Sequence, residues 1–288
     1  MLTKLLARLR LPARLRLPAY RDGWLFRGRI GDMEATTAGA RTLERGLSLI
    51  DCVAAGNHRL EDITKAAGLS RSATHRMLTS LVGAKYLSQS EDRSYHLGVK
   101  LLELGTQAQT SIDLPGVVQQ VLADIARITQ DATHLGILSG DEVVYLAKAR
   151  GHRGFEMTSY PGVRRKAQTP ALGKVLLAEK SDAEAIKAFN HTITPTPLSI
   201  RTAEEFLAAL HEAKHHGYAM DDQENELGIT CLAIGIPDLS GAMAAAVSVS
   251  APSVHMNPER IQSLVALLQK FQPELTSCLP PGFERAWI

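Results

Sequence analysis

The stretch that constrains this chain most is residues 60–97, LEDITKAAGLSRSATHRMLTSLVGAKYLSQSEDRSYHL. Its pattern predicts a helix over 60–67, followed by Gly68 at a tight turn where a residue at positive φ is needed. Ser70 is a natural N-cap for a second helix, because its hydroxyl can accept an orphan backbone N–H. In that helix Thr74, Met77, Leu78 and Leu81 fall at i, i+3, i+4 and i+7, one buried face. The opposite face carries Arg71, Ser72, His75, Arg76 and Thr79. These side chains suit phosphates and base edges in a major groove. Residues 86–89 and 94–97 flank a polar Ser90-Glu91-Asp92-Arg93 turn, a hairpin signal that makes a wing and adds Arg93 to the DNA-facing set. A helical subdomain with a merely solvated polar face is the plainer alternative. The Gly-Leu-Ser turn, the basic face and the hairpin directly after it favour a winged helix-turn-helix.

With 288 residues the chain can build two cores. No apolar run is long enough to cross a bilayer, so a soluble, cytoplasmic protein is expected. The net charge of +2 hides an asymmetry: residues 1–100 hold 17 Lys+Arg against 9 Asp+Glu, and the remainder 15 against 21. A basic head on an acidic body fits nucleic-acid binding by the head alone. Cys52, Cys231 and Cys278 are widely spaced and show neither metal-ligand spacing nor a disulfide framework, and no cofactor is expected.

Residues 1–32 repeat an Arg-Leu-x-Leu-Pro-Ala pattern, rich in Arg and almost free of acid. A basic arm or a transit-like segment is one reading. A translated leader upstream of a true start at Met33 is the favoured one, because Pro-broken leucine repeats fit no packed element. The DNA-binding domain then spans 33–97, opening with a helix over 42–55 that buries Leu43, Leu47, Ile50 and Val53, with Cys52 packed beside them. A connecting helix fills 98–113, offering Leu101, Leu102, Leu104 and Ala108 as a pairing surface. A second domain runs over 114–288. There a helix is expected over 114–129 and strands over 132–138, 142–147, 231–236 and 244–250. Further helices are expected over 171–178, 182–189, 202–216 and 258–272. Residues 221–226 read as an acidic loop, and Arg164-Arg165-Lys166 as a solvated charge run. The class is α+β: an antiparallel sheet with helices on its faces.

The motifs TLERGLSLI, GLSRSATHRML, YHLGVKLLELG, ALGKVLLA, GYAMDDQENELGITCLAIGIPD, AAAVSVSAPS and MNPERI resemble those of the IclR family of bacterial transcription factors, over roughly residues 41–267. The resemblance implies an N-terminal winged helix-turn-helix, a linker helix and a C-terminal GAF-like effector-binding domain. It implies a homodimer or homotetramer on operator DNA, a repressor as many members are, with an activator as some are the alternative, responding to a small organic or sugar acid. It also implies an effector pocket at Ala171, Leu172, Asp221, Cys231, Ser248 and Ser250, with Met157 on the facing loop. The residue types are apt. A helix start offers N–H groups, serines two apart share a strand face, and Cys and Met make an adaptable wall. Pro170 and the bulk of Leu172 depart from the family pattern and point to a smaller or more apolar pocket.

Two rival classes remain. An enzyme would use Cys231 with Asp221 and His134 or His255, but Cys231 lies in a buried-strand pattern without a nucleophile elbow. A ligand-free DNA-binding scaffold would leave the pocket residues without a role.

Overall fold

The computed structural model describes residues 38–111, 116–153 and 159–283. The chain divides into two compact units, one ending at residue 112 and the other starting at 113. Residues 1–32 and Met157 lie outside the described residues. No helix among those described is long and apolar enough to cross a membrane.

The first unit holds α1 (Ala38–Ala54), α2 (Leu60–Ala67), α3 (Arg71–Gly83), β1 (Leu87–Gln89), β2 (Tyr95–Leu97) and α4 (Val99–Ser111). Gly68 has φ 63° and donates to carbonyls of the last turn of α2, and the Ser70 side chain caps α3. Leu49, Val53, Ile63, Leu78, Leu87 and Tyr95 form the core. The expected burial on α1 is corrected. Leu43 is 65 % and Leu47 52 % exposed, whereas Leu49 and Val53 turn inward. The apolar residues of α1 make two stripes, and the period alone does not say which one meets α2 and α3. The hairpin is antiparallel, pairing Leu87 with Leu97 and Gln89 with Tyr95. Its tip turns at Arg93 (φ 62°) and is held by Asp92, which accepts from the Ser94 N–H and hydroxyl.

The second unit contains α5 (Gly116–Thr129), β3 (Ala132–Ser139), β4 (Glu142–Ala149), β5 (Arg164–Lys166), α6 (Ala171–Leu177), α7 (Asp182–Ala185), α8 (Ala203–His216), β6 (Ala219–Asp222), β7 (Ile229–Pro237), β8 (Met243–Pro252) and α9 (Pro258–Ser277). Six strands form one sheet in the order β5-β4-β3-β8-β7-β6, every pair antiparallel. Side chains alternate between its faces. Leu135, Leu232, Val247 and Val249 pack with α5 and α9, while Tyr145, Cys231, Ala233 and Ala246 pack with α6 and α8.

Three further expectations are corrected. Residues 164–166 are an edge strand, with Arg164 and Lys166 bonded to Glu142 and Asp141. Asp221 and Asp222 lie on β6 and not in a loop. The helix expected over 182–189 is a single capped turn followed by a 3-10 turn at Ile186–Ala188.

Two devices position the second face. Gly173 brings α6 so close to the segment after β5 that a Cβ there would lie 2.1 Å from the Ala167 carbonyl oxygen. Asp131, 1 % exposed in its side chain, is clamped by Arg153 at 2.8 Å and by Arg260, and both guanidiniums also donate to Thr129 O. That joins the start of β3, the segment after β4 and the start of α9. Gly173→Ala should therefore destabilise the second unit by about 1–3 kcal/mol through overpacking. Urea unfolding of the variant checks this, and an unchanged midpoint would show that α6 moves away at no cost.

Candidate effector and nucleic-acid sites

On the first unit the expected DNA-facing residues Arg71, Ser72, His75, Arg76 and Thr79 are all exposed on α3, and Arg93 is exposed at the hairpin tip. Arg71 pairs with Glu61 at 3.0 Å, both side chains largely in solvent. Such a pair contributes about 0–1 kcal/mol, so it orients Arg71 and yields readily to a phosphate. The Thr79 hydroxyl donates to His75 O at 2.9 Å. Arg59, missed in the sequence, pairs with Asp92 at 2.9 Å and fixes the hairpin tip beside α2. Nothing in the strand alternation signals that contact. Gly98 N–H donates to Tyr86 O and Lys100 N–H to Lys85 O, which fastens the start of α4 to the base of the hairpin.

On the second unit the register sets the expected pocket residues side by side. Asp221 pairs with Cys231, Cys231 with Ser250, and Ser250 with Ala132. The next row on that face runs Ala219, Ala233, Ser248, His134 and Lys148. Paired residues point the same way, so Asp221, Cys231, Ser248 and Ser250 share one face. Ala171 and Leu172, each 1 % exposed, begin the helix that covers it. The bulk of Leu172 is received over Gly136, where a Cβ would meet its Cδ1 at 3.2 Å. Pro170 precedes the helix, and its carbonyl accepts from Gly173 and Lys174. The Ala171 and Leu172 N–H groups precede the helix's own bonding pattern.

Charge is managed by Lys174, only 3 % exposed. Its ammonium donates to Met220 O at 2.9 Å and pairs with Glu224. Asp221 Oδ1 accepts from the Glu224 and Asn225 N–H groups at 2.8 and 3.2 Å. Burial pushes Asp221 up to about 7 against the opposing pull of Lys174, and burial raises Glu224 as well. Burial, then the Asp221 charge, pushes the Cys231 thiol far up. A buried thiol is no nucleophile.

Sequence reasoning missed three neighbours on this face as site residues. His134, weighed earlier only as a base, bonds Ser159 Oγ through Nε2 at 2.8 Å, and burial together with Lys148 lowers it to about 3. Lys148 donates to Ser159 O at 2.8 Å. Tyr145 packs edge-on against His134 at 5.4 Å, and burial raises its phenol. The signal available was position: His134 is in register with Ser248, and Lys148 with His134. His255 is exposed on a 3-10 turn, and His134 lies in register with Ser248 and not with Cys231, so among the described residues no Cys–His pair forms.

Residues 42–91 match the IclR helix-turn-helix domain, and residues 106–275 match the bacterial transcriptional regulator IclR C-terminal domain. The chain is 33 % identical over 236 residues to the HTH-type transcriptional regulator XynR of Escherichia coli (strain K12), covering 80 % of this chain and 93 % of XynR. It is 30 % identical over 213 residues to KdgR of the same organism, covering 73 % and 81 %. The crystal structure of Thermotoga maritima IclR superposes with a TM-score of 0.65 at 26 % identity, over 82 % of this chain and 98 % of that one.

The Asp221 shift sets a pH dependence. Its folded value of about 7 lies above the ordinary 3.8, so between about pH 4 and 7 the folded chain holds a proton that the unfolded chain releases. Stability falls as pH rises through that window. His134 acts oppositely: its folded value of about 3 lies below the ordinary 6.5, so its contribution is lost as pH falls below 6.5. Asp221→Asn removes the first effect and keeps the second. The variant's stability relative to the parent should grow between pH 4 and 7 by on the order of a few kcal/mol. Urea titrations across that range check this; a difference independent of pH would show that Asp221 does not titrate there.

Proposed function

The chain belongs to the IclR family of bacterial transcriptional regulators, and from that premise we propose that it is a ligand-responsive repressor of a catabolic operon. It is a DNA-binding regulator and not an enzyme. In the proposed reading α3 enters the major groove, with Arg71, Ser72, His75 and Arg76 toward base edges and phosphates and Thr79 offering its methyl, while Arg93 reaches the backbone from the hairpin tip. A small hydroxy acid or sugar acid binds under α6, against the Ala171 and Leu172 N–H groups, Asp221, Cys231, Ser248 and Ser250, with Met157 proposed on the facing loop.

One observation carries the effector reading: Asp221, Cys231, Ser248 and Ser250 lie on a single buried sheet face. Burying four polar side chains there costs stability that an apolar face would keep. A ligand-free scaffold gives no return for that cost. Ligand coupling in such systems is typically about 1–3 kcal/mol, or roughly fivefold to a hundredfold in operator affinity.

A homodimer or dimer of dimers on a palindromic site is also proposed, because two heads double the contacts. Leu102 and Val99 on α4, 71 % and 64 % exposed, and Leu43 and Leu47 on α1 support it as unpaired apolar surface. Leu104 is 36 % exposed and Leu101 is half-buried; the Ala108 side chain lies outside those described.

Two measurements test this. Arg71→Ala should weaken operator binding by a factor matching about 1–3 kcal/mol while leaving the unfolding midpoint in place; unchanged affinity at matched salt removes Arg71 from the interface. Replacing Ser248 and Ser250 together by Val should abolish operator release by hydroxy and sugar acids that act on the parent, with ligand-free DNA binding intact. A double variant that responds with unchanged potency places the effector elsewhere.

A further inference from the structure

His134 is 1 % exposed, and although its Nε2 is bonded to Ser159, its Nδ1 has no partner among the described residues. Three other buried polar atoms share that state, Thr133 Oγ1, Glu224 Oε2 and Arg260 Nε. Glu224 and Arg260 belong to groups already ion-paired, and Thr133 pairs with Val249, on the face that packs against α5 and α9. Among the described residues, His134 alone presents a buried, unused hydrogen-bonding atom within the serine row. An orphaned buried group costs about 1–3 kcal/mol. The sheet does not require it, since small residues, Gly136 and Ala132, occupy the flanking positions on the same side of β3.

We propose that His134 Nδ1–H is a binding position for the effector's carboxylate, with Lys148 beside it supplying the charge. This rests on the reading of that face as the effector site and adds the orientation in which the ligand lies. With the imidazole neutral and Nε2 accepting from the Ser159 hydroxyl, the proton sits on Nδ1, which then donates. A donor on a ring whose strand neighbour in register is a lysine suits a negatively charged oxygen. The opposite end of the face holds Asp221, whose carboxyl accepts from a hydroxyl and offers no positive charge to an acid. A hydroxy acid therefore lies across the strands with its carboxylate toward β3 and β4 and its hydroxyls toward β6, and Ser248, in register with His134, lies between.

The test uses the full chain, deuterated and with 15N-labelled histidine and backbone, titrated with sodium acetate against sodium chloride at constant ionic strength and in parallel with neutral acetamide. The His134 Nδ1 resonance should shift saturably with acetate and not with acetamide. Lys148→Met should raise the acetate midpoint about tenfold or more, the loss expected for one charge-assisted contact. A linear, unsaturated shift, or an equal response to acetamide, overturns the carboxylate position. If the amides of Cys231, Ser248 and Ser250 move saturably while Nδ1 stays still, the His134 assignment fails and the effector site stands. If none of them moves, both fail. Should Lys148→Met not fold, the acetate and acetamide arms on the parent chain decide alone.

Discussion

The second unit is organised by one buried ammonium. Lys174 lies within α6 at 3 % exposure, and a charge so placed requires partners. Glu224, the Met220 carbonyl and, at longer range, Asp221 supply them. These groups belong to β6 and the turn after it, so satisfying Lys174 fixes α6 across the sheet edge. The same arrangement leaves two carboxyls for one cation. Burial outweighs the pull of Lys174, and the Glu224 charge adds to it, so Asp221 holds its proton to about pH 7. Helix placement and the chemistry of the proposed site thus have a common origin.

Much of the fold was legible because local signals and burial agreed. Ser70 caps α3 and Gly68 takes φ 63° as the turn between two helices demands. Ser248 and Ser250 share a face because strand side chains alternate, whatever the sheet order. Other features were hidden. Leu43 and Leu47 have the spacing of a core stripe yet lie in solvent, since period identifies an apolar face and not what covers it. The run from Asp221 to Glu226 reads as a solvated loop because acids are rarely buried. Asp221 is an exception because two backbone N–H groups and a proton pay for its burial. His134 looked like an ordinary strand residue. Its neighbours Ser248 and Lys148 come from strands more than 100 residues downstream and 14 downstream respectively, and only the pairing reveals the row.

The bulk of Leu172 is accommodated by packing. Gly136 lacks the Cβ that would meet Leu172, so the side chain fills space beside the strand. Likewise the cationic segment Arg164–Lys166 is spent on Glu142 and Asp141 and on guarding a sheet edge.

The clamp on Asp131 has an evolutionary consequence. Arg153 ties the chain leaving β4 to the start of β3 and of α9, and six residues later Ser159 is tied to His134 and Lys148. A change at Asp131 alone would leave two guanidiniums without their buried carboxylate, and a change at either arginine would leave that carboxylate half-compensated. The three positions are therefore bound to change together in any lineage that keeps this fold.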